Sequence, residues 1–285
     1  MSYQPPGTLY VVATPIGNLE DLTPRAARIL ESVSRIAAED TRHSARLLSH
    51  LGISKPLLSL HEHNEAHRVD TLDAYLEAGE SIALISDAGT PLISDPGFIL
   101  VRALRSRNRH IVPIPGVCAL TAALSGAGLP TDRFIFAGFL PAKAGARRQV
   151  LENYQKREET LVFYESPHRI TATLEALAEQ MPERPIVLAR ELTKTFETFL
   201  QGVASELLDI LAADPNQARG EFVVMIGGAP AAREVREQSI DDETLLKTLL
   251  DEGVGVKQGA AIAANLLGGR KKEWYARLQM MKPDS

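Results

Sequence analysis

The segment Ser86-Asp87-Ala88-Gly89-Thr90-Pro91-Leu92-Ile93-Ser94-Asp95-Pro96-Gly97 sets hydroxyls and two carboxylates among glycines and prolines. Such a loop brings backbone close to a ligand, because glycine carries no Cβ and tolerates unusual dihedrals. Four more loops have the same character. They are Thr14-Pro15-Ile16-Gly17-Asn18, Glu39-Asp40-Thr41-Arg42, Pro115-Gly116-Val117-Cys118-Ala119 and Tyr164-Glu165-Ser166-Pro167-His168-Arg169. Each follows a short apolar run that reads as a strand. In doubly wound sheets ligands bind at the carboxyl ends of strands, so five such loops on one edge describe a binding cleft. The small residues Cys118 and Ala119 leave space in it.

Several other chemistries lack their residues. Gly17 has no partners at G-x-G-x-x-G spacing, and Gly126-Ala127-Gly128 follows a helical stretch, so no dinucleotide fingerprint is present. There is no phosphate-binding G-x-x-x-x-G-K-[ST] and no G-x-S-x-G elbow. The run His61-Glu62-His63-Asn64-Glu65-Ala66-His67 fits neither H-E-x-x-H nor H-x-x-E-H, and it reads as a polar loop entering a helix over 65–78. The single cysteine, Cys118, excludes a cysteine-rich zinc site and an intrachain disulfide. No metal is expected.

The elements that must position these loops alternate along the chain. Strands are expected at 9–13, 35–38, 82–86, 111–114, 134–138, 161–164, 186–189 and 222–226. Most lack polar alternation, as strands covered on both faces do. Thr23-Pro24 and Ser166-Pro167 each set a capping hydroxyl before a proline at the first helical position. After Pro167, the residues Ile170, Leu174, Leu177 and Met181 share one helical face. The expected division is an α/β domain over 8–116, a second over 117–229, and a helical tail over 235–285. That tail reads as helices over 241–252, 256–267 and 270–281 joined by glycine turns, compatible with a helix-turn-helix.

Charge in the tail is split. Residues 234–252 carry seven acids against Arg236 and Lys247, and residues 257–282 carry six bases against Glu273. The basic stretch, with Lys271 and Lys272, reads either as a solvated helix face or as an RNA contact, with Trp274 and Tyr275 in its core or stacking. Over all 285 residues the formal net charge is −5, with 45% hydrophobic and 24% charged residues. That is an ordinary globular balance and argues against non-specific coating of nucleic acid. No apolar run is long enough for a membrane helix and Met1–Gly7 does not read as a signal peptide. A soluble, cytoplasmic protein is expected.

The loop at 86–97 resembles the signature of one branch of the tetrapyrrole methylase superfamily, S-adenosylmethionine-dependent enzymes of non-Rossmann type. The resemblance extends through Ala13–Asp21, Ala38–Arg42, His61–Glu65, Pro115-Gly116, Gly138-Phe139-Leu140-Pro141, Phe163–Arg169 and Ala189-Arg190-Glu191-Leu192-Thr193-Lys194. It covers residues 8–228, and the tail resembles the helix-turn-helix extension of that branch. It implies two α/β/α domains with the cofactor cleft between them, a small C-terminal helical domain, a homodimer, and methylation of a cytidine ribose 2′-oxygen in 16S rRNA of the small ribosomal subunit. It also implies that S-adenosylmethionine touches Pro15, Ile16, Asp87, Ile93, Ser94, Cys118, Ala119 and Tyr164.

A sulfonium already activates its methyl group, so positioning supplies much of the rate. A base near the weakly acidic hydroxyl would help. Glu39, Asp40, Glu165, His168 and Glu191 lie at strand ends and could serve, or could instead hold Arg42, Arg169 and Arg190 in ion pairs. Candidate phosphate contacts are Arg42, Lys143, Arg147, Arg148, Arg169, Lys271 and Lys272. Two other readings stay open: a small-molecule methyltransferase acting on a tetrapyrrole, and a non-catalytic protein of ribosome assembly.

Overall fold

The computed structural model describes residues 6–230 and 241–281. The chain divides at Ala229 and Pro230 into two compact units.

The first unit contains two sheets. Strands β1 (Thr8–Val12), β2 (Arg35–Ala38), β3 (Leu57–Ser59), β4 (Ile82–Ile85) and β5 (His110–Ile114) pair in the order β3-β2-β4-β1-β5. Every pairing is parallel. All the loops that leave the carboxyl ends therefore emerge on one edge. Helices α1 (Pro24–Ser32) and α2 (Thr41–His50) pack on one face through Ala26, Leu30 and Leu48. Helices α3 (Glu65–Glu77) and α4 (Phe98–Ser106) cover the other through Leu72, Leu76, Leu100 and Leu104. The Thr23 hydroxyl caps α1 by accepting from the Ala26 amide at 3.1 Å, with Pro24 in the first turn.

After helix α5 (Ala119–Ala127), the second sheet is built from β6 (Phe134–Phe139), β7 (Thr160–Glu165), β8 (Ile186–Arg190), β9 (Thr198–Gly202) and β10 (Phe222–Ile226), in the order β6-β7-β10-β8-β9. It is mixed: β6 and β7 are parallel, while β10 runs antiparallel to both β7 and β8. Helices α6 (Ala144–Tyr154), α7 (Ile170–Gln180) and α8 (Ala204–Ala213) fill one face around Leu151, Leu174 and Leu207. The other face carries α5 through Leu120, Ala123 and Leu124. Because α5 alone covers that face, part of it stays open beside the strand ends.

Two strands differ from expectation. β3 has three residues and β9 alternates exposed and half-buried positions; both are edge strands without a continuous apolar run. The other difference is the start of α7. It begins at Ile170, not at Pro167, and the Ser166 hydroxyl accepts from Arg169 Nε at 3.3 Å instead of capping. The backbone at 166–169 is turned so that Arg169 reaches back to Glu165. Ile170, Leu174, Leu177 and Met181 are all buried, as their spacing requires.

The second unit consists of α9 (Asp242–Asp251), α10 (Val256–Leu267) and α11 (Lys271–Met281). Gly253 and the pair Gly268-Gly269 have positive φ in the connections, which glycine adopts without strain. Leu246, Ala260, Ala263, Trp274 and Leu278 form the core. The Trp274 ring is in that core, its Nε1–H donating to the Gly268 carbonyl at 2.7 Å, while Tyr275 is exposed. Lys271 and Lys272 are exposed on α11. Of the acidic stretch at 234–252, residues 234–240 lie outside the described residues, as does Lys282.

Candidate active site

The loops of the first sheet are tied to one another. Thr14 and Gly89 exchange backbone hydrogen bonds at 2.9 and 3.0 Å, and the Thr90 hydroxyl donates to the Val117 carbonyl at 2.8 Å. Leu92 and Ser94 have φ of 72° and 66°. A side chain held in this sparsely populated region costs energy that the surrounding contacts must offset, and such positions cluster at ligand sites. The second sheet meets these loops at several points. The Asn18 amide donates to Thr193 Oγ1 at 3.2 Å, and Gly138 lies so near Ser94 that a Cβ there would stand 3.2 Å from its hydroxyl.

Between these contacts is a cavity of about 380 Å³, within the usual range for a small organic ligand. The first sheet's loops contribute Ile16, Gly89, Ile93, Ser94 and Asp95; the start of α5 adds Cys118 and Ala119. The second sheet contributes Tyr164, Leu192, Phe222 and Val223, and Phe139 stands exposed nearby. The Tyr164 hydroxyl accepts from the Leu120 amide at 3.1 Å, fixing the first turn of α5 against β7. Burial pushes the Tyr164 phenol well above its ordinary range, with the neighbouring Cys118 adding to the shift, so it stays neutral.

Six of the residues expected at the cofactor line this cavity: Ile16, Ile93, Ser94, Cys118, Ala119 and Tyr164. Pro15 and Asp87 do not. They line a neighbouring hollow of about 60 Å³, together with Thr14, Ser44 and Ser86. The Asp87 carboxylate accepts from the Asp40 amide at 2.9 Å, so it ties the β4 loop to the β2 loop.

Most of the expected bases are committed elsewhere. Asp40 caps α2 and is ion-paired with Arg42 at 3.0 Å, which together with the Arg42 amide holds its carboxyl down at about 2. Glu165 is buried. It accepts from Ser166 N at 2.8 Å and the Thr173 hydroxyl at 2.7 Å, and pairs with Arg169 at 2.8 Å. Glu191 pairs with Lys194 at 2.9 Å and accepts from the Glu221 amide. His168 is exposed. Glu39 is half-buried, and burial and the Asp87 charge push its carboxyl upward.

The group that the strand-end reasoning missed is Asp95. It lines the cavity, forms no ion pair among the described residues, and is pushed up to about 6 by burial and then by the charges of Glu39 and Asp87, against the Ser86 hydroxyl. A carboxylate titrating there is poised to exchange a proton near neutral pH.

The expected cations need a similar correction. Arg147 is buried, with its Nη1 donating to the Ala142 carbonyl, and is not a surface phosphate contact. Arg169 is turned inward to Glu165 and the Leu140 carbonyl, and Arg190 is buried against the Arg219 and Phe196 carbonyls. The second-sheet loops therefore do not ring the opening with free guanidinium groups; their contribution to the wall is largely apolar and aromatic. Arg42, Lys143 and Arg148 are exposed, Arg148 in a surface pair with Glu179.

Two α/β sheets enclosing an apolar cavity at strand ends, with a carboxylate on its wall that has no ion-pair partner among the described residues, form a binding site for a small organic molecule. The family model for tetrapyrrole (corrin/porphyrin) methylases matches residues 8–208, and the chain belongs to that family. It is thus a methyltransferase, and the methyl donor of this class is S-adenosylmethionine. A second model, the RsmI C-terminal HTH domain, matches residues 236–282.

Among curated proteins, the chain is 54% identical to "Ribosomal RNA small subunit methyltransferase I" of Pseudomonas aeruginosa, over 94% of this chain and 95% of that one. It is 47% identical to the protein of that name from Escherichia coli O157:H7, over 94% and 93%. Among solved structures, a uroporphyrin-III-C-methyltransferase from Thermus thermophilus shares the fold with a TM-score of 0.54 at 24% identity. That match covers 78% of this chain and 94% of the other.

Proposed function

We propose that the protein transfers a methyl group from S-adenosylmethionine to the ribose 2′-oxygen of a cytidine in 16S rRNA of the small ribosomal subunit. The observation that carries this reading is the near full-length identity of 54% to a ribosomal RNA small subunit methyltransferase. The C-terminal helix-turn-helix match and the exposed Lys271 and Lys272 support a nucleic acid as the acceptor. A homodimer in the cytoplasm is the setting this reading implies. No helix among the described residues is long and apolar enough to cross a membrane.

The cavity fits the donor. Gly89, with φ of 79°, leaves unfilled a space where a Cβ would stand 3.3 Å from Ile16 Cγ2. Ile16, Ile93, Ala119, Leu192 and Val223 offer apolar surface for the adenosine portion. When bound, the donor supplies a methyl group already activated by its positive sulfur. The chain's own work is to bind and orient, to keep water from the apolar wall, and to take the hydroxyl proton, for which Asp95 is the available carboxylate.

A 2′-O-methylated nucleotide resists alkaline cleavage of its 3′ phosphodiester, because the internal nucleophile is blocked. Small-subunit rRNA treated with the enzyme and donor should show one alkali-resistant bond per molecule. Label recovered on a free base would overturn the ribose assignment. The aromatic wall formed by Phe139, Tyr164 and Phe222 favours one second reading, a planar tetrapyrrole as acceptor. Transfer of label to uroporphyrinogen with none to rRNA would establish that instead.

A further inference from the structure

The cavity carboxylates differ in how they are neutralised. Glu165 is matched by Arg169 at 2.8 Å, and Glu221 by Lys194 at 2.9 Å. Asp95 has no such partner among the described residues. The groups acting on it from the packed elements are Glu39 after β2, Asp87 and the Ser86 hydroxyl after β4, and the Tyr164 hydroxyl from β7. Cys118 stands beside that hydroxyl, 3.9 Å away, and His61 acts on Glu39. None of the groups acting on Asp95 is a cation.

We infer that ionised Asp95 makes this cavity select the cationic methyl donor over the neutral thioether left after transfer. The inference rests on the methyltransferase reading of the cavity. In the reaction the methyl carbon leaves sulfur for the ribose oxygen, the C–S electron pair stays on sulfur, and the hydroxyl proton passes to a carboxylate or water. Donor and spent product therefore differ by one methyl group and one positive charge. The apolar wall contacts the parts they share and discriminates little. A fixed negative charge discriminates strongly, because it acts on the one feature that changes.

A cavity of about 380 Å³ is small, so its contents stay within roughly 10 Å of a wall charge, at the reduced dielectric of a protein site. The attraction at that separation corresponds to roughly tenfold in affinity. Because the carboxyl of Asp95 is pushed up to about 6, the selectivity has a pH signature. Above that value the charge is present and the donor is preferred; below it the charge, and the preference, are lost.

The test is calorimetric titration of the full chain, first freed of bound ligand, with S-adenosylmethionine and separately with S-adenosylhomocysteine. Wild type and Asp95→Asn are compared at pH 7.5 and pH 5.0. The expected result is that Asp95→Asn weakens donor binding roughly tenfold at pH 7.5 and leaves product binding within about twofold. Wild type should lose most of its donor preference at pH 5.0, and the variant's ratio should barely move.

Taking the ratio of the two ligands cancels titration of the amino acid portion they share. Should the variant fail to fold, the wild-type pH series decides alone, and a ratio constant across it overturns the inference. Equal weakening of both ligands, or of neither, also overturns it while leaving the methyltransferase reading intact. If wild type binds neither ligand, the cavity reading itself is wrong.

Discussion

Replacing Glu165 by glutamine separates a structural carboxylate from a catalytic one. Its oxygens accept from the Ser166 amide and the Thr173 hydroxyl and pair with Arg169, and its side chain is 1% exposed. Glutamine keeps the shape, but one oxygen becomes an amide nitrogen that meets donors where an acceptor is required. Hydrogen bonds to a charged group are each worth about 1.5–3 kcal/mol, and an unsatisfied buried donor adds to the loss. Arg169 offsets part of this, since it is 26% exposed and also donates to the Leu140 carbonyl. The expected destabilisation is about 3 kcal/mol, toward the low end of what breaking a buried pair costs.

Equilibrium urea unfolding followed by far-UV circular dichroism measures this. The two units give the experiment an internal control, because the only tryptophan, Trp274, belongs to the C-terminal unit and reports its unfolding by fluorescence. The dichroism transition should shift by about 1 M urea, taking a slope of about 3 kcal/mol/M, while the fluorescence transition stays in place. Thr173→Val should cost about 1 kcal/mol and couple to Glu165→Gln in a double-mutant cycle. If Glu165→Gln shifted the transition by less than roughly 0.3 M yet abolished methyl transfer, the structural reading would be refuted and Glu165 would be the base.

Ala119→Trp places an indole in the cavity and should abolish donor binding by calorimetry while leaving the circular dichroism spectrum unchanged, since Ala119 lies at a helix start outside the fully buried core. Tyr164→Phe removes the acceptor for the Leu120 amide. It should cost about 1 kcal/mol in urea unfolding and weaken donor binding through looser placement of α5. Replacing Lys271 and Lys272 by glutamate should weaken rRNA binding without altering donor affinity. It should also reduce the slope of log affinity against log salt by about 2, near one unit for each phosphate no longer neutralised; an unchanged slope would show that α11 does not touch the RNA.

Central strands declared themselves in the sequence because burial on both faces demands unbroken apolar runs: β4, β8 and β10 are buried at every position. The edge strands β3 and β9 escaped because burial demanded no such run of them. Parallel pairing in the first sheet made the strand-end argument work there, bringing the loops after β1, β4 and β5 to one cavity wall. Asp87 fell outside that wall, although it sits in the same loop as Ile93 and Ser94, because its carboxylate turns to the β2 loop. Residue type and loop position were visible in the sequence, but the direction of a single side chain was not.

The sequence did contain a signal for the carboxylates that are committed to ion pairs. Asp40 has Arg42 two positions on, Glu165 has Arg169 four on, and Glu191 has Lys194 three on; each of these pairs forms. A strand-end loop is short, so a cation within one turn of a carboxylate has few other places to go, and where both are withdrawn from water the unpaired charge would be costly. No cation lies within four residues of Asp87 or Asp95. Asp87 is instead satisfied by a backbone amide, which leaves Asp95 as the cavity-lining carboxylate without an ion-pair partner among the described residues. A strand-end acid flanked by glycine, proline and hydroxyl residues, with no neighbouring cation, is thus a better candidate for chemistry than one embedded in a Glu-x-x-x-Arg or Glu-x-x-Lys pair. Here the first pattern marks the unpaired carboxylate of the cavity wall, and the second marks carboxylates held by their own cations, Glu165 on that wall and Asp40 and Glu191 outside it.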